Sequence, residues 1–337
     1  MSRIATAAIF HQHGTPADVI QLEQQPVREP EPGEILVRML WSPVNPADLN
    51  VLEGTYGRLP KLPATPGMEG VGEVSTVGAE VTRFSPGDLV FIPSGAGYWR
   101  EFWTGNPDDC VRVSAEMPAD VAATLRINPA TAWRMLHDFV SLQPGEWILQ
   151  NAANSAVGRC VIEIAHYFGW KTVNLVRREE LIPELEALGA DAVILDDADA
   201  KDKVRDAMGG AKARLALNAV GGDSAYRQIS ALGNGGQLVT YGAMSRKPVR
   251  VSNGALIFKN VAIRGFWITT WYVSATRDEK EEFFRQLGVL ASQGLLRTPV
   301  DSRFPLSQIK EAIARAEQSG RNGKVLLDLS PVPNPAS

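Results

Sequence analysis

The stretch Asn151-Ala152-Ala153-Asn154-Ser155-Ala156-Val157-Gly158 has the residue types of an anion-binding turn. Small side chains leave its backbone accessible, Asn154 and Ser155 can cap a helix or donate to phosphate, and Gly158 permits a helix to approach a strand closely. Its single glycine does not satisfy G-x-G-x-x-G, so the same residues also read as an ordinary capped helix start. About twenty residues further on, Val176-Arg177-Arg178 stands where an acidic residue would bind the ribose 2′-hydroxyl of NAD. Two guanidinium groups suit a 2′-phosphate instead, which favours NADPH. The alternative is that Arg177 and Arg178 are solvated residues opening a helix that contains Glu179 and Glu180.

Thiol and imidazole chemistry has little to draw on. Cys110 and Cys160 are the two cysteines of the chain, too few for a disulfide scaffold or a four-thiolate zinc site, and they suit a reducing cytosol. His11, His13, His137 and His166 fall outside any ligand spacing, and Asp48 and Glu69 alone do not complete a site of three protein ligands. No metal is expected. The 34 basic and 38 acidic side chains leave a net charge of -4, which argues against nucleic acid or an anionic membrane as partner. No apolar run reaches the length of a membrane-spanning helix, and the first ten residues carry neither a signal-sequence nor a transit-peptide pattern. Cytoplasm is the expected location.

Positioning these residues needs about two domains, which 337 residues supply. From Arg3 to about Val113, short apolar runs alternate with turns at Pro32-Gly33, Pro66-Gly67 and Pro86-Gly87, predicting short antiparallel strands in a barrel-like β domain. Past Pro129 the pattern changes to alternating helix and strand. A helix is predicted over 129–139, strands over 147–150, 172–176, 192–195, 215–219, 237–241 and 261–266, with helices between most of them. That alternation is the pattern of a doubly wound parallel sheet. The remainder predicts helices over 280–293 and 306–319, a last strand over 324–329 that packs back onto the first domain, and a frayed Pro-rich tail.

This domain order resembles the medium-chain dehydrogenase/reductase superfamily over nearly the whole chain. Asn45-Pro46-Ala47-Asp48 has no thiol, and Gly67-Met68-Glu69-Gly70 has Met68 where the alcohol dehydrogenases place histidine, which points to the zinc-free branch. Within it the sequence is most similar to the NADPH-dependent trans-2-enoyl thioester reductases of the mitochondrial type. The segments that carry the similarity are Val44-Asn45-Pro46-Ala47-Asp48-Leu49-Asn50 with Gly54-Thr55-Tyr56-Gly57, Asn128-Pro129-Ala130-Thr131-Ala132-Trp133, the turn from Gln150 to Gly158, Val239-Thr240-Tyr241-Gly242-Ala243-Met244, and Arg264-Gly265-Phe266-Trp267.

The resemblance implies an α/β protein: a GroES-like β-barrel catalytic domain over 1–124, a Rossmann NADPH-binding domain over 125–268, and a return segment over 269–337 that completes the catalytic domain. It places the proton-donating tyrosine on Tyr56. Cofactor contacts fall on Asn128, on Asn154, Ser155, Ala156 and Val157, on Arg177, Arg178 and Glu179, on Tyr241, Gly242, Ala243 and Met244, on Phe266, Trp267 and Ile268, and on Lys324. Asn45 and Thr131 line the nicotinamide pocket. Four positions depart from the family pattern: Ala156 and Ala243 stand for glycine, Arg178 for an acidic residue and Trp133 for tyrosine.

The implied reaction is hydride addition to Cβ of an enoyl thioester on coenzyme A or acyl carrier protein, with protonation at Cα. Tyr56 has the functional group for that last step, since a phenol of ordinary pKa about 10 is protonated at neutral pH. By residue type alone it reads equally as a loop tyrosine touching solvent, Phe266 and Trp267 as core, and Lys324 as a surface cation. Two rivals remain: an NADPH quinone or enone reductase of the same branch, and a non-catalytic NADPH-binding relative. The superfamily implies a homodimer through the strand over 261–266.

Overall fold

The computed structural model describes residues 3–114 and 116–331; the end of the Pro-rich tail, expected to fray, lies outside the described residues. Two compact units are present, Met1–Ile127 with Tyr272–Ser337, and Asn128–Trp271.

The first unit begins with β1 (Ile4–Phe10), β2 (Ile20–Pro26), β3 (Ile35–Pro43), β4 (Val71–Val77), β5 (Leu89–Phe91), β6 (Phe102–Gly105) and β7 (Val111–Arg112). β1 and β2 form their own antiparallel pair. β3 is the hub of the main sheet: β4 and β6 pair with it, β5 with β4 and β7 with β5, all antiparallel. Ile35, Leu36, Val37 and Met39 of β3 are all buried, the mark of a strand covered on both faces. Gly33, Gly67 and Gly87 of the three Pro-Gly pairs all take positive φ, as their turns require. Two helices among its first hundred residues break the all-β expectation, the single turn Pro16–Val19 and a longer one. Pro46–Glu53 is a helix, opened by a proline in its first turn and closed by Gly54 at φ 79. Eight residues between two turn signals are too short for a helical period to stand out.

The second unit holds β8 (Trp147–Asn151), β9 (Lys171–Val176), β10 (Ala192–Leu195), β11 (Ala213–Asn218), β12 (Leu232–Thr240), β13 (Lys247–Val249) and β14 (Ala262–Gly265). Six of these form one sheet in the order β10-β9-β8-β11-β12-β14, every pair parallel. The strand order reverses between β8 and β11, so the carboxyl ends of those strands form the topological switch point where such sheets bind ligands. Leu149, Val173, Leu175, Ala216 and Leu238 pack in one buried cluster.

The chain then returns to the first unit through the helix Arg277–Ser292, β15 (Val300–Pro305), the helix Ile309–Glu317 and β16 (Lys324–Asp328). β16 pairs antiparallel with β3, Leu327 opposite Ser42. β15 lies parallel to β16, an arrangement the sequence did not suggest. A parallel pair needs a crossover, and the Ile309–Glu317 helix provides it, burying Ile309, Ala312, Ile313 and Ala316 against the unit's core.

Candidate active site and cofactor site

In the second unit the turn after β8 leads directly into the helix Ala156–Tyr167. Ser155 is its N-cap, and the Ser155 hydroxyl accepts the Gly158 N–H at 3.1 Å. Ala152 takes φ 49, a conformation uncommon for a residue with a Cβ. The sharp bend aims the unpaired N–H groups of the helix's first turn at the carboxyl edge of the sheet, an arrangement suited to an anion. Gly158 is what lets the helix sit there: a Cβ on it would lie 2.4 Å from the Ala153 carbonyl oxygen.

Three more groups follow strand ends on the same edge. Arg177, Arg178 and Glu179 come after β9 and are all exposed. Arg178 lies 3.3 Å from Glu180, while among the described residues Arg177 has no charged partner. Tyr241, Gly242, Ala243 and Met244 follow β12, and Phe266 and Trp267 follow β14. Trp267 is 39% exposed and Met244 64%, so neither is a core residue, whereas Ile268 is buried. The Tyr241 phenol is buried, which pushes its pKa up; it has Ser155 for a neighbour but no partner at hydrogen-bonding geometry. Asn128 and Thr131 are buried on the helix Asn128–Asp138, and Asn128 Nδ2 likewise has no partner. Buried polar atoms left unpaired are costly, and a bound molecule is one means of supplying the missing partner.

Sequence reasoning passed over the amides beneath this edge. Asn151 Nδ2 donates to Asn218 Oδ1 at 2.8 Å, to Ser224 Oγ at 2.8 Å and to Gln228 Oε1 at 3.2 Å, while its Oδ1 accepts the Ala219 N–H at 2.7 Å. Gln150 Nε2 bonds the Gly158 carbonyl at 2.9 Å and Asn174 Oδ1 at 2.7 Å. Polar side chains at the ends of otherwise apolar parallel strands were the available signal. They tie the turn after β8 to the loop after β11.

The first unit holds Tyr56, Asn45 and Lys324. Tyr56 is half-buried two residues past Gly54, its backbone N–H donating to the Asn50 carbonyl at 3.2 Å and its ring packed against the core. Asn45, the N-cap of the Pro46–Glu53 helix, is buried. Asp48 reaches back to take the Asn45 N–H at 2.8 Å and the Met68 N–H at 2.9 Å. Asn45 Nδ2 donates to Glu69 Oε1 at 2.9 Å, the Ile127 N–H donates to Glu69 Oε2 at 2.8 Å, and Lys324 Nζ donates to Asn45 Oδ1. Lys324 is 7% exposed at the start of β16 and is no surface cation. Burial pushes Asp48 up to about 7, against the pull of its two N–H donors. Burial also raises Glu69, opposed by the Lys324 charge and by the hydrogen bond from Asn45. Arg126 is buried beside them, donating to Tyr98 Oη and the Ile92 carbonyl with its guanidinium 5.0 Å from the Tyr272 ring.

Residues 31–132 match the alcohol dehydrogenase GroES-like domain family, and residues 156–289 match the zinc-binding dehydrogenase family. The chain is 40% identical over 335 residues to enoyl-[acyl-carrier-protein] reductase, mitochondrial, of Xenopus tropicalis, covering 97% of this chain and 96% of that one. It belongs to the enoyl-[acyl-carrier-protein] reductase family. The Rattus norvegicus enzyme of the same name is 42% identical, with 91% of this chain and 84% of that one covered. The solved complex of Etr1p with NADP and crotonyl-CoA superposes with a TM-score of 0.88 at 29% identity, covering 97% of this chain and all of that one. The Etr1p/Etr2p mitochondrial 2-enoyl thioester reductase heterodimer from Candida tropicalis matches equally well. A putative NADPH:quinone reductase from Bacillus thuringiensis gives 0.89 at 30% identity, covering 97% and 99%. The resemblance to the medium-chain dehydrogenase/reductase superfamily, with its GroES-like and Rossmann-type folds, is thereby established. The expected cytoplasmic location is overturned: the relatives from animals and plants alike are named mitochondrial.

Two measurements follow from this geometry. Gly158→Ala forces the helix away from the Ala153 backbone and is expected to destabilise the second unit by about 1–3 kcal/mol and to weaken NADPH binding. Urea unfolding and a cofactor titration would read both effects, and an unchanged pair of values would show the turn to be compliant. For Asp48, the folded chain keeps its proton up to about pH 7. The unfolded chain releases it near the ordinary aspartate value of about 4, so stability falls as pH rises across that window. The loss between about pH 5 and about pH 8 should therefore be smaller for Asp48→Asn than for the unsubstituted chain. Equal losses would remove Asp48 as the source.

Proposed function

We propose that this chain reduces the carbon-carbon double bond of trans-2-enoyl thioesters with NADPH, and that Tyr56 protonates Cα. The observation that carries the activity is the match, across nearly the full length, to enoyl thioester reductases, one of them solved with NADP and crotonyl-CoA. Bound NADPH supplies hydride to Cβ. The residues present suit it: the N–H groups behind Ser155, Ala156 and Val157 for pyrophosphate, Arg177 and Arg178 for the 2′-phosphate, and the unpaired Asn128 and Tyr241 atoms as waiting partners. Glu179, Gly242, Ala243, Met244, Phe266, Trp267, Ile268 and Asn154 complete the proposed contacts of the second unit, and the family resemblance adds Lys324, Asn45 and Thr131. The protein's own work is to orient the thioester, stabilise charge developing on its carbonyl oxygen and deliver a proton from a phenol that is protonated at neutral pH.

The GroES-like portion over 1–124 with the return over 269–337 is the proposed catalytic domain, and 125–268 the NADPH domain. A homodimer is proposed through β14, the edge strand of the parallel sheet. Ile263 on it and Leu256, Ile257 and Phe258 just before it are exposed apolar side chains, and Phe258 is 83% exposed. The Candida tropicalis heterodimer supports a two-chain assembly. The match to a putative NADPH:quinone reductase keeps quinone reduction as a second reading.

Steady-state NADPH oxidation against crotonyl-CoA, longer 2-enoyl-CoA thioesters and quinones decides between them. Thioesters are expected to turn over far faster, and the reverse ranking would establish the quinone reading. Tyr56→Phe should lower kcat about 10²- to 10⁴-fold, the usual contribution of a general acid, and leave NADPH affinity within about twofold. An unchanged kcat takes Tyr56 out of the chemistry. Replacing Arg177 and Arg178 with Ala should lose about 1.5–3 kcal/mol of NADPH binding for each charge-assisted hydrogen bond, with little change for NADH. Equal losses for the two cofactors would sink the 2′-phosphate assignment.

A further inference from the structure

Glu69 has no exposed surface, and both of its carboxylate oxygens accept N–H groups, from Asn45 Nδ2 at 2.9 Å and from the Ile127 backbone at 2.8 Å. On its other side the Asn45 amide accepts from the Lys324 ammonium through Oδ1. An asparagine amide can sit either way round, because its oxygen and nitrogen are nearly the same size. Here the choice is forced. A carboxylate can only accept and an ammonium can only donate, so Nδ2 must face Glu69 and Oδ1 must face Lys324. Reversing the amide would set NH₂ against NH₃⁺ and oxygen against carboxylate, in a buried place where neither mismatch is relieved by water.

We propose that Glu69 is a positioning residue of the reductase: it fixes the orientation of the Asn45 amide, and through that amide fixes the place of the Lys324 ammonium on which cofactor binding depends. The proposal rests on the reading of Asn45 and Lys324 as groups on the cofactor's side. It does not rest on which alkene is reduced. Substitution of Glu69 by glutamine exposes the logic, because glutamine offers one acceptor where two donors converge. If its oxygen takes the Ile127 N–H, its NH₂ faces Asn45, which must turn over and present NH₂ to Lys324. If its oxygen takes Asn45, its NH₂ faces the Ile127 N–H. Either way one donor is set against another.

The exchange Asn45→Asp with Glu69→Gln removes the conflict while keeping the net charge. The glutamine oxygen accepts from Ile127, its NH₂ donates to the new aspartate, and the aspartate's other oxygen accepts from Lys324.

The test measures NADPH dissociation constants by fluorescence and kcat/KM for crotonyl-CoA, in the full-length chain, with an unfolding curve for each variant. Glu69→Gln should weaken NADPH binding roughly tenfold, the size of one charge-assisted hydrogen bond, and the exchange variant should regain most of that loss. Values for Glu69→Gln within about twofold of the unsubstituted chain, or an exchange variant no better than Glu69→Gln, would overturn the proposal. Where Glu69→Gln does not fold, Asn45→Leu and Lys324→Met serve: each should weaken NADPH binding, and the double variant should be no worse than the weaker of the two, since they break one chain of contacts. Additive losses would overturn it. A chain that binds NADPH but reduces no enoyl thioester would refute the proposed activity and leave the affinity arm of this test intact.

Discussion

A carboxylate taken wholly out of water is tolerated only when every lone pair facing a neighbour finds a donor, and Glu69 imposes that condition on the first unit. Its answer comes from three separate stretches of chain. Asn45 stands at the cap of a short helix, Ile127 ends the first run of the unit, Lys324 opens the last strand, and Arg126 adds a second cation close by. The return segment is therefore more than extra core. By pairing β16 with β3 it carries Lys324 to a residue 279 positions away in sequence.

The second unit solves a different problem by similar means. Parallel strands buried on both faces are apolar along their lengths, yet their carboxyl ends must support loops that meet a charged ligand. Asn151, Gln150, Asn174 and Asn218 supply a layer of amides at that boundary, each bonded to the next strand or to the loop above it. Such a layer holds the loops in one arrangement with no net charge of its own. Arg177 and Arg178 stand exposed at that edge, Arg178 beside Glu180.

Much of this was legible beforehand because it is local or periodic. Small residues before a helical period, and arginines where an acid would select NAD, are short-range signals. Ser155 does cap the helix, and Gly158 does stand where a Cβ would strike backbone. Lys324 was different. A lysine opening a strand looks like any surface cation, and only its neighbours reveal it as buried. Glu69 was weighed only as a metal ligand and set aside, because its true partners lie 24, 58 and 255 residues away in sequence. The Pro46–Glu53 helix escaped notice for its shortness, and the parallel β15–β16 pair because nothing in a strand's own residues states the direction of its neighbour. The cellular location was misjudged since addresses are read by receptors and are not set by the physics of the folded chain.

The sequence by itself determined the six strands of the parallel sheet, the capped helix start after β8 and the preference for a phosphorylated cofactor. Spacing of apolar residues and the charge of single side chains are enough for each of these. The tertiary structure alone decided which polar groups are removed from water and which partners they find there. Pairings such as Glu69 with Asn45 and Lys324 join distant segments, and their strength comes from a dry interior that exists only once those segments have packed together.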